Sequence, residues 1–356
     1  MRKWIARADR SRIAASVLAG LVGVTAAAVV GSAGTAAAQP PNLPATDTTF
    51  TLAVVPDTQN EVVYRLSDAW FTRRMSWLVE NEDELDLRFV THTGDLVNWD
   101  RVDGPDTITH DQYERASAGL RLLEDAGIPY SLSIGNHDAA ATCQGGSACP
   151  GDAHANLRNT ESFNLFFPPS RFQNLGGLYE EGKIDNSFHT FTAGGLQWLV
   201  LNLELWPRTG VVEWAKGVVA DHPYHNVIVN THSHLTGNGQ ISQSGSYGDN
   251  SPQYLFDELY SRYPNIRIVV SGHTGVYAYR VDTGVHGNRI HQILSTYHDV
   301  VSTRLIEVDA ATGSFTTRVF NHETGRDHAD GSAFTVTGVN WVRPPAAPDE
   351  RLAGRR

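Results

Sequence analysis

Apolar positions in the first half of the chain fall into two alternating kinds of run. Short stretches rich in β-branched and aromatic residues, FTLAVV (50–55), LRFVTHTG (87–94) and PYSLSIG (129–135), are separated by longer segments, around 66–82 and 111–126, whose apolar residues recur at helical spacing. A strand covered on both faces reads as a nearly continuous apolar run, whereas an amphipathic helix repeats every 3.6 residues. The alternation therefore predicts βαβ units around a largely parallel sheet. Further on, SFHTFTAGGLQWLVLNLE (187–204) predicts a hairpin, with helices around 211–220 and 253–263 and strands at 225–233 and 266–274. From VYAYRV through STRLIEVD and GSFTTRVF the pattern predicts antiparallel strands. The expected fold class is α/β, a sandwich with mixed sheets. Residues 139–182 show little periodicity and predict a structured insertion or lid after the third strand, and the stretch FNLFFPPSRF within it predicts packing. With no internal repeat, a solenoid is not indicated.

The ends of the chain read differently. Met1 to Arg12 carry five basic residues against Asp9, and an Ala-rich apolar run from Ile13 to Gly31 leads into Ala36-Ala37-Ala38. That layout predicts a secretory signal peptide over 1–38, an uncleaved anchor being the alternative. A linker (39–49), a globular domain (50–342) and a disordered tail (343–356) complete the expected organisation. The expected location is secreted or extracellular, cell-envelope association being the alternative, with no stable membrane association after cleavage. Loss of the signal removes five cations and one anion, moving the net charge from -11 to -15. Such a surface repels nucleic acid and anionic lipid, so no nucleic-acid-binding face is expected. An anionic substrate needs local positive charge that no Lys/Arg cluster supplies; a bound cation would supply it. The two cysteines, Cys143 and Cys149, predict a local disulfide in an exported protein, with free thiols as the alternative.

Five predicted strands run directly into polar side chains. They are Asp57 and Gln59 after TLAVV, Asp95 and Asn98 after LRFVTHT, Asn136-His137-Asp138 after PYSLSI, His232 and His234 after NVIVN, and His273 after RIVV. In open α/β sheets the loops at the carboxyl ends of strands form the ligand crevice, so these groups are expected to converge. A converging set of Asp, Asp, Asn, His and His describes a metal site.

These blocks resemble the calcineurin-like metallophosphoesterase superfamily over residues 50–275. The family pattern Asp-x-His stands here as Asp57-Thr58-Gln59, and Gly-Asp-x-x-[Asp/Asn] as Gly94-Asp95-Leu96-Val97-Asn98. Gly-Asn-His-[Asp/Glu] stands as Gly135-Asn136-His137-Asp138, the strand-terminal His as His232, and Gly-His-x-His as Gly272-His273-Thr274-Gly275. The resemblance implies a four-layer αββα sandwich. It also implies a small phosphate-ester substrate and hydrolysis of phosphomonoesters or phosphodiesters by a metal-bound hydroxide. Asp95 would bridge two cations about 3.5 Å apart, one completed by Asn136, His232 and His273. That set of two imidazoles and two oxygen donors suits Mn, Fe or Zn. His137 would be the general acid, Asn98 would orient it, and Asp138 would cap the following turn.

The sequence departs from the family at Gln59 and Gly275, where the pattern has histidines. The second position then keeps Asp57, Asp95 and the amide oxygen of Gln59, and is expected to hold a harder ion such as Mg, Mn or Ca, or none, leaving one or two cations in total. His234 is a possible substitute ligand, with a surface or supporting role as the alternative. His92 is expected to be structural, and His298 and Asp299 to be loop residues, with a supporting role at the crevice as the alternative. The aromatic residues of AWFTRRMSW read as core, and Tyr277 and Tyr279 as either pocket rim or half-exposed strand. The missing histidines leave a second function class open, a weak or silent phosphate-binding protein of the cell envelope with a reduced one-metal site. The retained His137 argues for catalysis.

Overall fold

The computed structural model of the protein describes residues 48–63, 68–100, 108–298 and 300–345. The expected signal peptide, nearly all of the linker, most of the tail and Asp299 lie outside the described residues.

Strand β1 (Thr49–Val55) leads through a one-turn helix α1 (Gln59–Val62) to α2 (Asp68–Glu80) and α3 (Glu82–Leu85). Then come β2 (Leu87–His92), α4 (Ile108–Ala126) and β3 (Tyr130–Leu132). The three strands pair in parallel, β1 with β2 and β2 with β3, as the alternation predicts. Period-two alternation within β1 divides its side chains between two cores. Ala53 and Val55 pack with Phe71 and Met75 of α2 and Tyr113 and Leu120 of α4. Phe50, Leu52 and Val54 face the other way, against Trp198, Val200, Ile268 and Val270. Each Val or Leu so buried stabilises the fold by about 1.5–3 kcal/mol.

The segment after β3 packs as its aromatic content predicts. It forms a small hairpin, β4 (Thr142–Cys143) with β5 (Ser147–Ala148), helices α5 (Ala153–Leu157) and α6 (Glu161–Phe166), and strand β6 (Leu175–Leu178). Phe163, Phe167 and Phe172 are buried in the same core as α2 and α4.

The second half supplies β7 (Ser187–Ala193), β8 (Leu196–Leu203), α7 (Thr209–Asp221), β9 (His225–Thr231), α8 (Pro252–Glu258) and β10 (Ile266–Ser271). Leu199, Leu201 and Leu203 turn from the inter-sheet core toward Val211, Val212 and Ala215 of α7 and Leu255 of α8. The helix expected to reach Tyr263 stops at Glu258, and a 3-10 turn follows at Tyr260–Arg262. Leu259 and Tyr260 are nonetheless buried in the same cluster, so the apolar period reports burial, not the type of helical turn.

The last strands are β11 (Tyr277–Thr283), β12 (Arg289–Ser295), β13 (Ser302–Asp309), β14 (Ser314–Asn321), β15 (Arg326–Asp327) and β16 (Phe334–Val336). One sheet runs β15-β14-β13-β1-β2-β3, with β16 on β14, and the other β11-β12-β10-β9-β8-β7-β6. The two sheets face each other and each carries helices on its outer side, which is the expected four-layer arrangement. One departure matters for the site. The last third is not purely antiparallel, because β12 returns parallel to β10, and its carboxyl end therefore lies on the same edge as that of β10.

Candidate metal centre

Loops after β1, β2, β3, β9, β10 and β12 meet at one end of the sandwich. Two groups of ligand-capable atoms form there: Asp95, His232 and His273, and Asp57, Asp95 and His298, the atoms of each lying within 4.8 Å of one another. Asp95 belongs to both, the shared position expected of it. His232 Nε2 lies 3.1 Å from Asp95 Oδ2 and 3.1 Å from His273 Nδ1. His298 Nε2 lies 3.1 Å from Asp57 Oδ2.

The backbone is shaped to bring these groups together. Asp95 has φ 54° and His273 φ 76°, left-handed values that cost L-residues energy and persist where the surroundings hold them. Thr58 N donates to Asp95 O at 3.1 Å, and His273 N to Asp57 Oδ2 at 2.9 Å. The approach is so close that a Cβ on Gly135 would lie 2.1 Å from Asp95 Oδ1, and one on Gly272 2.0 Å from Asp57 Oδ1.

Three properties of the cluster fit a cation. Asn136 Oδ1 and Gln59 Oε1 are buried acceptors with no hydrogen-bond partner, an arrangement that costs energy unless something else satisfies them. His232 donates Nδ1–H to Thr93 O at 3.0 Å, which orients Nε2 into the site. The electrostatics also ask for positive charge. Burial alone would lower the His232 imidazole, but the carboxylates of Asp95 and Asp57 outweigh it and raise it to about 9. Burial raises Asp57; it acts upward on Asp95 too, yet His232 and His137 hold that carboxyl well below the usual range. Burial and the neighbouring His232 push His273 down to about 3, leaving it neutral. A proton on His232 thus stands in for part of the charge a cation would bring.

His137 sits at the edge of this cluster. Its main-chain N–H donates to Asp95 Oδ1 at 3.0 Å, and Nε2 lies 4.0 Å from Asp95 Oδ2. Nδ1 bonds the main-chain carbonyl of Asn98, not the side-chain amide expected to orient it. That amide donates to Asn60 Oδ1 at 3.0 Å. A peptide carbonyl is a fixed acceptor, so His137 is oriented whatever side chain stands at 98. Asp138 is also more than a cap: it accepts from Leu96 N at 2.8 Å, Val97 N at 3.1 Å and Gly135 N at 2.9 Å, tying two site loops together.

The second group was only partly foreseen. Asp57 and Asp95 are in place, and the Gln59 amide donates to Asp95 Oδ2 at 3.4 Å. At Gly275, with φ 77°, a Cβ would lie 2.5 Å from Gly237 Cα, so this packing leaves no room for the family's second His. The nitrogen donor comes instead from His298, whose imidazole is raised by its hydrogen bond to Asp57. Sequence reasoning favoured a loop role for His298. The signal that could have found it was the apolar run IHQIL ending four residues earlier, had it been read as one more parallel strand.

The other candidates lie apart. His234 is buried and bonds Gln292 Oε1 through Nε2 at 2.6 Å, with burial lowering it to about 4; it is absent from both ligand groups. His92 is structural: Nδ1 accepts from Gly94 N at 3.1 Å, leaving Nε2–H to donate to Thr58 Oγ1 at 2.9 Å. Phe71 is core and Trp77 stacks on Phe320 with ring centroids 4.3 Å apart. Tyr277 bonds Asp330 O and Tyr279 bonds His291 Nδ1 at 2.8 Å. Cys143 and Cys149 form a disulfide.

A family model described as calcineurin-like phosphoesterase matches residues 50–277. The uncharacterized protein YvnB of Bacillus subtilis (strain 168) is 24% identical over 236 residues, covering 64% of this chain. The match covers 16% of YvnB, so the chain spans only a small part of that relative's length. Among solved structures, GAP50, described as the anchor in the inner membrane complex of Plasmodium, aligns with a TM-score of 0.46 at 11% identity over 81% of this chain and 88% of its own. A conserved uncharacterized protein from Streptococcus pneumoniae TIGR4, described as a predicted phosphoesterase, aligns with a TM-score of 0.34 at 10% identity over 82% and 98%.

Proposed function

The chain belongs to the calcineurin-like phosphoesterase family, and from that premise we propose that it is a metal-dependent hydrolase of small phosphomonoesters or phosphodiesters. The observation that carries the reading is that Asp95 is shared by two ligand groups with the His137 imidazole beside it.

Asp95, Asn136, His232 and His273 would hold one divalent cation, and Asp57, Asp95, His298 and Gln59 Oε1 a second. Bound there, such ions supply Lewis acidity toward water and phosphoryl oxygens. The remaining work falls to the chain. His137 keeps its Nδ1–H on the Asn98 carbonyl, so Nε2 is the ring nitrogen left to carry the second proton of an imidazolium toward the leaving oxygen. Asn136 contributes an oxygen without charge, which spares an anionic substrate a third carboxylate. Asp138 locks the loops of Asp95 and His137 in register through its three backbone N–H bonds.

The same proposal places the enzyme outside the cell. Its support is the basic, then apolar, then small-residue pattern of residues 1–38 together with the disulfide. No helix among the described residues is long and apolar enough to cross a membrane.

Turnover of bis(p-nitrophenyl) phosphate and p-nitrophenyl phosphate tests the activity, measured on stripped protein with Mn, Fe, Zn, Mg or Ca restored in turn. The expected result is hydrolysis by the wild type that Asn136→Ala largely abolishes. Equal inertness of both proteins with every cation would sink the catalytic reading.

A further inference from the structure

An asparagine can ligate a cation through its amide oxygen but not through its amide nitrogen, so something must decide which of the two faces the site. At Asn136 the neighbour that can decide is Thr142. Its hydroxyl donates to the main-chain oxygen of Asn136 at 2.8 Å, and the Asn136 side-chain Nδ2 donates back to the same Oγ1 at 3.4 Å. A hydroxyl has one proton. With that proton on the carbonyl, Thr142 can only accept from the side chain, which draws the NH2 group to its side and turns Oδ1 away. Oδ1 is the atom left buried and without a partner.

Thr142 is itself held. It is 3% exposed and opens the hairpin formed by Thr142–Cys143 and Ser147–Ala148, which the Cys143–Cys149 disulfide closes. Thr142 N donates to Ala139 O at 3.3 Å, Cys149 N to Ala141 O at 2.9 Å and Gly146 N to Cys143 O at 3.0 Å. The far end of the hairpin borders the proton donor, since a Cβ on Gly146 would lie 3.5 Å from His137 Cε1. None of the hairpin residues is in the ligand blocks read from the sequence.

We propose that Thr142, seated by the disulfide-closed hairpin, is a positioning residue that fixes the Asn136 amide with its oxygen toward the cation. The proposal rests on Asn136 being a ligand. A two-oxygen side chain has no orientation to choose, so the effect of Thr142 should vanish when residue 136 is Asp.

The test is the affinity of the site formed by Asp95, Asn136, His232 and His273 for Zn and for Mn, measured by chelator competition, with circular dichroism confirming the fold of each variant. Thr142→Val should weaken binding about 10- to 100-fold, the usual range for losing a supporting partner of a ligand. Thr142→Ser, which keeps the hydroxyl, should bind like the wild type. The pair Cys143→Ser with Cys149→Ser should shift affinity in the same direction as Thr142→Val but less. Adding Thr142→Val to Asn136→Asp should cost nothing further. Wild-type affinity in Thr142→Val, or the same loss in both backgrounds, overturns the positioning role while leaving Asn136 a ligand. Unchanged affinity in Asn136→Ala overturns the ligand assignment and the proposal with it.

Discussion

The two halves of the candidate metal centre share Asp95 but are assembled differently. On one side, Asn136, His232 and His273 come from loops that leave β3, β9 and β10 within a few residues of the strand end, and the His232 side chain is fully buried. On the other, Asp57 is buried, but its nitrogen partner His298 has 32% of its side chain exposed and stands three residues beyond β12. The first half keeps the family's ligand pattern. The second has Gln59 and Gly275 where the family pattern has histidines, and its imidazole, that of His298, comes from a different loop. What such a site needs is donor atoms fixed in space, and here packing closes the position at Gly275 while the loop after β12 brings an imidazole to the same group.

The largest expected effect falls on the shared residue. Asp95→Ala should empty both halves and lower turnover about 10³-fold or more, several kcal/mol of lost charge stabilisation. Elemental analysis should find neither cation; a retained pair would mean the halves are not joined through Asp95. Next is His137. His137→Ala should cost about 10²- to 10⁴-fold with an alkyl phosphate, whose leaving oxygen needs a proton, and much less with p-nitrophenyl phosphate. Equal losses on both substrates would move His137 from proton donor to phosphate contact. The sharpest test of the comparison is His298→Ala. It should remove the second cation, keep the first, and lower turnover by about 10- to 100-fold. Two cations still bound would return His298 to the loop role the sequence suggested.

What could be read from the sequence follows the same division. Strand positions and the inter-sheet core were legible because Phe50, Leu52 and Val54 alternate with Ala53 and Val55, a pattern set by the two faces of one strand. The convergence of the first half's side chains was legible because each follows an apolar run almost at once. His298 was not, because recognising it requires knowing that β12 lies parallel to β10, a pairing no local pattern specifies. The partner of His137 was hidden for a different reason. A main-chain carbonyl carries no residue type, so the sequence could offer only the Asn98 side chain. Thr142 was hidden in an insertion without periodicity, where a hydroxyl pointing at a ligand looks like any loop threonine.

The smallest expected effect separates the halves by their protons. In the metal-free protein His232 is raised to about 9, against an ordinary value of 6.5, so at pH 7.5 it carries a proton that a cation bound through Nε2 must displace. His273, lowered to about 3, has no proton to lose at that pH. Filling the first half should therefore release about one proton per cation, and its apparent affinity should fall by up to tenfold for each pH unit below 9. The sign is the same for folding of the metal-free protein. Stability from the His232 pairing is fully present below pH 6.5 and is lost as pH rises through 9. Titration calorimetry in two buffers of different ionisation enthalpy counts the proton directly. His298→Ala should leave that count unchanged for the first cation, whereas His232→Ala should abolish it; a count that follows His298 instead would assign the tighter cation to the rebuilt half and reverse the comparison.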